Sequence, residues 1–184
     1  MVPEAPLERT DAGLVAAGDG WFVMNARDAR WIRREGRGHN LPFTGWTEEE
    51  AESWFPRLGM NITVLGPGEP IGMYHWEADP EDFLILAGTG ILLVEGEERP
   101  LKQWDFVHCP PRTEHMIVGG ENGCTLICVS AREFQAGEWG AYVPDELARR
   151  YGVSVDETTS DTEKAYARFP GSEPVRYPDG LLPE

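Results

Sequence analysis

The chain has 184 residues, enough for one domain with a sizeable core and too few for two comfortable ones. Its 32 acidic residues against 16 basic ones give a formal charge of −16, a surface that repels the phosphates of nucleic acids and anionic membranes, so neither is expected as a partner. No basic-then-apolar leader opens it, no apolar run is long enough to span a bilayer, and its three cysteines cannot pair completely. A cytoplasmic protein with reduced thiols is the economical expectation.

In chain order, residues 1–20 are small and polar and read as a loose arm. Trp21 to Met24 is a short apolar run that suits a strand, packed on a barrel edge or on a second copy in a homodimer. Arg27 to Gly45 is basic and glycine-containing, an expected extended loop. Thr47 and Glu50 have capping-box spacing, which predicts a short helix through about Trp54, stopped by Pro56. Segments near 60–65, 71–77, 82–87, 90–95, 104–109, 114–118 and 123–130 are rich in β-branched, aromatic and leucine residues, with Gly- and Pro-bearing stretches between them. Short strands at such spacing form a sandwich or a barrel. Beyond Ser130 the strand pattern lapses. Pro144 opens a helix through Arg150, Asp161 can cap another through about Ala167, and a proline-bearing tail follows.

Two segments carry chemistry-bearing residues. In the first, strand alternation puts His75 and Glu77 on one face and Tyr74 and Trp76 on the other, while Asp79-Pro80 turns the chain so that Glu81 starts the next strand nearby. In the second, a strand from Trp104 to Cys109 meets the Pro110-Pro111-Arg112 turn, and a returning strand opens at His115. Asp82 substitutes for Glu81 if the register slips by one; His108 is expected to face outward with Phe106. Any one of these residues is ordinary on a strand; the interest lies in finding four together.

These two segments resemble the paired motifs of the cupin family. His75, Glu77, Glu81 and Gly88 fall where the first motif has His, His, Glu and Gly; Pro110, Arg112 and His115 fall where the second has Pro, Gly and His. The resemblance covers roughly residues 60–130. The chain departs from it at Glu77 (for the second His), at Trp104 and Arg112 (each for a Gly) and at Gly119 (for a common Asn).

The resemblance implies an all-β fold, a cupin-type jelly-roll β-barrel with a few short peripheral helices. On that basis 1–20 is an N-terminal arm, 21–135 the barrel, and 136–184 a helical extension and tail packed on it. His75, Glu77, Glu81 and His115 are then the expected ligands of one divalent transition metal, with Mn, Fe, Ni and Zn all compatible with imidazole and carboxylate donors. A small molecule is the expected ligand of the barrel interior, with Tyr74, Trp104 and Arg112 as further candidate contacts and Glu77 or Glu81 as a possible base. A metal-dependent oxygenase, isomerase or lyase and a non-catalytic binding or sensing module without metal both remain open.

Overall fold

The computed structural model describes residues 1–18, 20–55, 57–133 and 139–183. The expected helix stop at Pro56 and the 135/136 boundary lie outside the described residues. No helix among them is long and apolar enough to cross a membrane.

The centre of the molecule is a jelly-roll barrel built on two long bent strands, β7 (Glu81–Val94) and β10 (His115–Ala131), which pair antiparallel along most of their length. β5 (Leu58–Leu65) lies on the other side of the second half of β10, while β6 (His75–Glu77) meets β10 at its start. β8 (Glu97–Lys102) and β9 (Phe106–Cys109) both pair with β7. The strand rich in charged residues, β8, is one that the apolar pattern of the sequence does not announce.

The stretches Ala87–Gly90 and Gly119–Gly123 are corners within continuous strands, where turns between separate strands are expected. The reason is steric. Gly88 and Gly123 both have φ near +75°, and a Cβ on Gly88 would stand 2.2 Å from the Gly123 carbonyl oxygen. The two backbones cross the corner almost in contact, which only glycine permits.

The N-terminal half is more ordered than its composition suggests. Residues 1–20 contain a hairpin, β1 (Leu7–Thr10) and β2 (Gly13–Ala16), tied to the body through the Leu14 and Arg30 amides. Trp21–Met24 is not a strand: Trp21 forms one isolated bridge with Glu4, and its side chain is about half exposed. The basic segment 27–45 is not a loop. It holds β3 (Trp31–Arg34) and β4 (His39–Pro42), which extend the sheet from β5. A four-residue strand is too short to show a clear period, and Trp31, Ile32 and Leu41 are nonetheless buried.

Helix α1 (Glu48–Trp54) has the expected capping box, Thr47 Oγ1 accepting from the Glu50 amide. Helix α2 (Glu146–Arg150) begins after Asp145, whose side chain accepts from the Ala148 amide, so Pro144 precedes the cap. Helix α3 (Thr162–Tyr166) starts at the cap Asp161. β11 (Gly140–Tyr142) pairs with β6, and β12 (Ser172–Val175) pairs with β3. Tyr177, Leu181 and Leu182 then pack with Trp31 and Leu41 on the outer face of that sheet.

Candidate metal centre

His75 and His115 are paired residues on neighbouring antiparallel strands, so their side chains leave the same face, with ring centroids 4.9 Å apart. Glu81 opens β7 beside them. One donor atom from each of His75, Glu81 and His115 lies within 4.8 Å of the others. His115 Nε2 is 3.0 Å from Glu81 Oε2, and His75 Nε2 is 3.5 Å from the same oxygen.

Both imidazoles are oriented from behind. The Nδ1–H of His75 donates to the Met73 carbonyl at 2.8 Å, and that of His115 to the Thr113 carbonyl at 2.9 Å. A carbonyl can only accept, so Nδ1 carries the proton in both rings, leaving Nε2 as the atom aimed at the carboxylate. That is the tautomer in which Nε2 can ligate a metal.

The electrostatics follow from crowding these groups in a buried place. Burial opposes charge on His75, but Glu77 and Glu81 beside it outweigh that and lift its pKa to about 10. His115 is likewise opposed by burial and lifted to about 9 by Cys109 and Glu81. Burial pushes Glu81 upward, yet the two imidazoles hold it down at about 2. Glu77 goes the other way: burial and the neighbouring Glu81 charge raise its pKa despite His75. A cluster that draws protons onto its histidines in this way is equally one where a cation is favoured.

Glu77 Oε1 lies 3.5 Å from His75 Nε2, at the edge of the three-residue group and not within it. Tyr74 points away: it is fully buried among Leu93, Met116, Val118, Leu147 and Val153, its hydroxyl accepting from the Gly96 amide. Trp104 is two-thirds exposed on the turn between β8 and β9. Arg112 lies over the Trp76 ring at 4.6 Å, and its backbone N–H donates to the Glu77 carbonyl. His108 and Asp82 pair on the outer surface at 2.6 Å, so Glu81 is the inward acid.

Trp104 and Arg112 share a backbone feature. Each has positive φ, 73° and 68°, at the third position of a turn closed by an amide-to-carbonyl bond, Asp105 to Lys102 and Thr113 to Pro110. Glycine is the usual residue there because φ > 0 costs other residues energy. The two departures from the expected glycines therefore keep the backbone shape and change only the side chain.

His75, Glu81 and His115 line a cavity of about 200 Å³ together with Arg34, Asn40, Asn61, Thr63, Phe83, Cys128 and Tyr166 among others. Asn40 Nδ2 donates to Asn61 Oδ1 at 2.8 Å and to Thr63 Oγ1 at 3.0 Å, and the threonine hydroxyl donates to Asn61. Trp139 and Tyr142 stand against the other side of His75, with centroid distances of 6.4 and 5.9 Å. Sequence reasoning missed all of these polar lining residues. Alternation in β5 puts Asn61 and Thr63 on one face, the available signal, but only strand pairing brings Arg34 and Asn40 to it, and only the packing of α3 brings Tyr166. The three cysteines are free and buried, and burial raises Cys124 to about 11 and Cys128 to about 12, so neither is poised as a thiolate nucleophile.

Comparison with known proteins agrees with this picture. Residues 61–130 match the model of the cupin domain. Among solved structures, the polyketide cyclase RemF from Streptomyces resistomycificus is similar over 70% of this chain and 91% of its own, at 12% identity and a TM-score of 0.51. A cupin 2 conserved barrel domain protein from Salinispora arenicola matches over 61% and 80% (19% identity, TM-score 0.41). The DMSP lyase DddQ from Ruegeria pomeroyi matches over 55% of this chain (19% identity, TM-score 0.45), which spans only 50% of that protein. No curated protein sequence matches the chain. The matched segment contains His75, Glu81 and His115, and the strands around it form the jelly roll, so residues 61–130 carry a cupin domain.

Proposed function

We propose that this cupin holds one divalent first-row transition metal on His75, Glu81 and His115 and acts on a small molecule bound in the cavity beside them. The convergence of two Nε2 atoms and a carboxylate oxygen within 4.8 Å, with both Nδ1 atoms committed to backbone carbonyls, carries the reading. Two imidazoles and a carboxylate suit Mn, Fe, Ni or Zn. Bound there, such an ion supplies Lewis-acid polarisation of a substrate oxygen, or oxygen chemistry if it is iron.

The chain's own residues have distinct parts in this reading. Phe83, whose ring centroid is 5.5 Å from that of His115, together with Trp139 and Tyr142 around His75, holds the imidazoles and excludes water. Glu77 stands outside the group of three with its pKa raised, which suits a carboxyl that takes and returns a proton. The proposal extends to a chain whose C-terminal helical extension and tail pack on the barrel, found in the cytoplasm as a homodimer. The half-exposed Trp21 and the exposed Val23 support the dimer, and a monomer in light scattering at micromolar concentration would contradict it.

A second reading, a binding module without metal, is favoured by one observation: Glu81 is already engaged by both imidazoles. Elemental analysis of untagged protein purified without chelator separates the two. About one equivalent of a transition metal in the native protein, absent from a folded His75→Ala/His115→Ala variant, is expected. No metal in either, even after reconstitution, sinks the metal reading and leaves the binding module.

A further inference from the structure

The cavity has a second charged wall that the cupin motifs do not supply. Arg34, the last residue of β3, lines it alongside Asn40, Asn61 and Thr63. Its Nε and Nη2 atoms are sealed from solvent and have no hydrogen-bond partner among the described residues. Other arginines here also have a buried Nε without a partner, but they are otherwise engaged. Arg30 pairs with Glu50 at 2.8 Å, and Arg37 stacks 4.4 Å over Tyr166. The acid of the same cavity, Glu81, is taken by His75 and His115. The nearby amide and hydroxyl groups of Asn40, Asn61 and Thr63 bond to one another.

A buried guanidinium with two unused N–H groups is costly unless something meets it. Nε and Nη2 are the adjacent corners of the guanidinium that present two parallel N–H bonds, a fork whose spacing matches the two oxygens of a carboxylate. The cavity, about 200 Å³, has room for roughly six or seven waters' worth of volume, so the part of the guest that enters it is small. One positive charge on this wall calls for one negative charge on the guest.

We propose that the barrel binds a small monocarboxylate, its carboxylate held side-on by Nε and Nη2 of Arg34 and the rest of the molecule extending toward His75, Glu81 and His115. The assignment rests on the cavity being the ligand site, as in the function proposed above, but not on the metal. It makes Arg34 a specificity residue: an acid is accepted, and its neutral amide or alcohol counterpart leaves the guanidinium unmet and is refused.

The test is calorimetric titration of the full chain, metal-loaded and chelated, with acetate, glycolate and pyruvate as probes, against acetamide, glycolamide and pyruvamide, and against inorganic phosphate. Expected are saturable binding of at least one acid, binding of its amide at least about 10-fold weaker, and phosphate weaker than the acid. Arg34→Gln should weaken the acid at least about 10-fold while the metal content is unchanged, and Arg34→Lys should restore only part, because an ammonium keeps the charge without the fork. Arg34→Met serves as the check on structure: a guanidinium whose buried N–H groups meet no partner contributes little to stability, so this variant should melt no lower than wild type without ligand.

The result that overturns the proposal is equally definite. Acid binding that survives in Arg34→Gln and is lost in His75→Ala/His115→Ala would put the carboxylate on the metal, sparing the metal reading and sinking this one. Phosphate binding as tight as any acid, or no acid binding to wild type, would also sink it. Arg34-dependent acid binding in chelated protein would uphold it even if no metal were ever found. Should Arg34→Gln fail to fold, acid binding by Arg34→Met and the acid-against-amide comparison in chelated wild-type protein decide together.

Discussion

The barrel interior has two ends that use the same strands to opposite purpose. Toward one end β5, β7 and β10 contribute Leu65, Ile85, Ile117 and Leu126, joined by Leu92, Leu101 and Val107 in a packed apolar cluster. Toward the other the same strands contribute Asn61, Thr63, Glu81, His115 and Cys128, with Arg34 and Asn40 from β3 and β4 facing them. Nothing in backbone geometry separates the two, since alternation continues through both. At the apolar end each side chain is satisfied by its neighbours. At the polar end the Nε and Nη2 of Arg34 are not. The first is built to be stable and the second to receive something, so substitutions at the two ends should fail in different ways.

The largest effect is expected at the apolar end. Leu126 is fully buried, and Leu126→Ala removes its contacts and leaves a cavity, costing about 2–5 kcal/mol. Urea unfolding should show this with the metal bound per folded molecule unchanged. A loss of metal in folded Leu126→Ala protein would mean the two ends are one mechanical unit and break the comparison.

The polar end should instead reveal itself by pH. In metal-free protein His75 and His115, at about 10 and 9, contribute stability that is fully present below their unfolded value near 6.5 and is lost as pH rises through 9–10. Glu81, held at about 2, contributes stability present above its unfolded value near 4.5 and lost as pH falls through 2. Glu77, raised, works against its neighbour above that same unfolded value. Chelated protein is therefore expected to melt highest between about pH 4.5 and 6.5 and progressively lower toward pH 10. Metal-loaded protein should show the reverse trend over pH 6 to 8, because the ion competes with protons for Nε2. Melting curves at stepped pH check both, and chelated protein whose melting temperature climbs from pH 6.5 to 9.5 would contradict the charged-histidine picture.

An intermediate cost belongs to Thr63. It is fully buried, its hydroxyl accepts from Asn40 and donates to Asn61, and Thr63→Val removes both bonds at similar volume, leaving only the direct bond from Asn40 to Asn61. About 1–3 kcal/mol is expected, by chemical denaturation, with carboxylate binding weakened as Asn40 and Asn61 lose their fixed positions. A neutral outcome would show that the direct bond between Asn40 and Asn61 suffices to hold the two amides.

How far the sequence revealed each end depends on how local its determinants are. His75 and Glu81 are separated by one turn, and His115 follows a proline turn, so the resemblance of two short motifs nominates all three, with Glu77 beside them. Arg34 lies in a run with Arg30, Arg33 and Arg37 that reads as a basic loop; only the pairing of β3 with β4, and of β4 with β5, carries it to the cavity. Tyr166 comes to the same wall from α3, 132 residues from Arg34 in the sequence. The corners at Gly88 and Gly123 misled for a related reason. A glycine that lets two backbones touch and a glycine that reverses a chain have the same local signature, and only the partner strand distinguishes them.

The smallest effect tests whether the two ends share a backbone device despite their different contents. The Trp104 turn bonds back to Ile85 in the apolar half, and the Arg112 turn bonds back to Glu77 beside the histidines. At both, φ is positive on a residue other than glycine. Alanine at either position keeps that strain, whereas glycine relieves it but adds freedom to the unfolded chain. The first term is about 1–2 kcal/mol and the second about 0.4–1. Arg112→Gly should thus be more stable than Arg112→Ala by about 1 kcal/mol, the opposite of the order on a helix, and Trp104→Gly should exceed Trp104→Ala by a similar margin. Each pair differs only in a methyl, so the lost stacking of Arg112 on Trp76 and the lost packing of Trp104 cancel within it. Equal inversions at both turns would mean that the left-handed turn is a shared element of the scaffold. An inversion at Trp104 but not at Arg112 would mean that the turn before His115 relaxes when its side chain is cut back, so that the Arg112 side chain itself holds the turn in place.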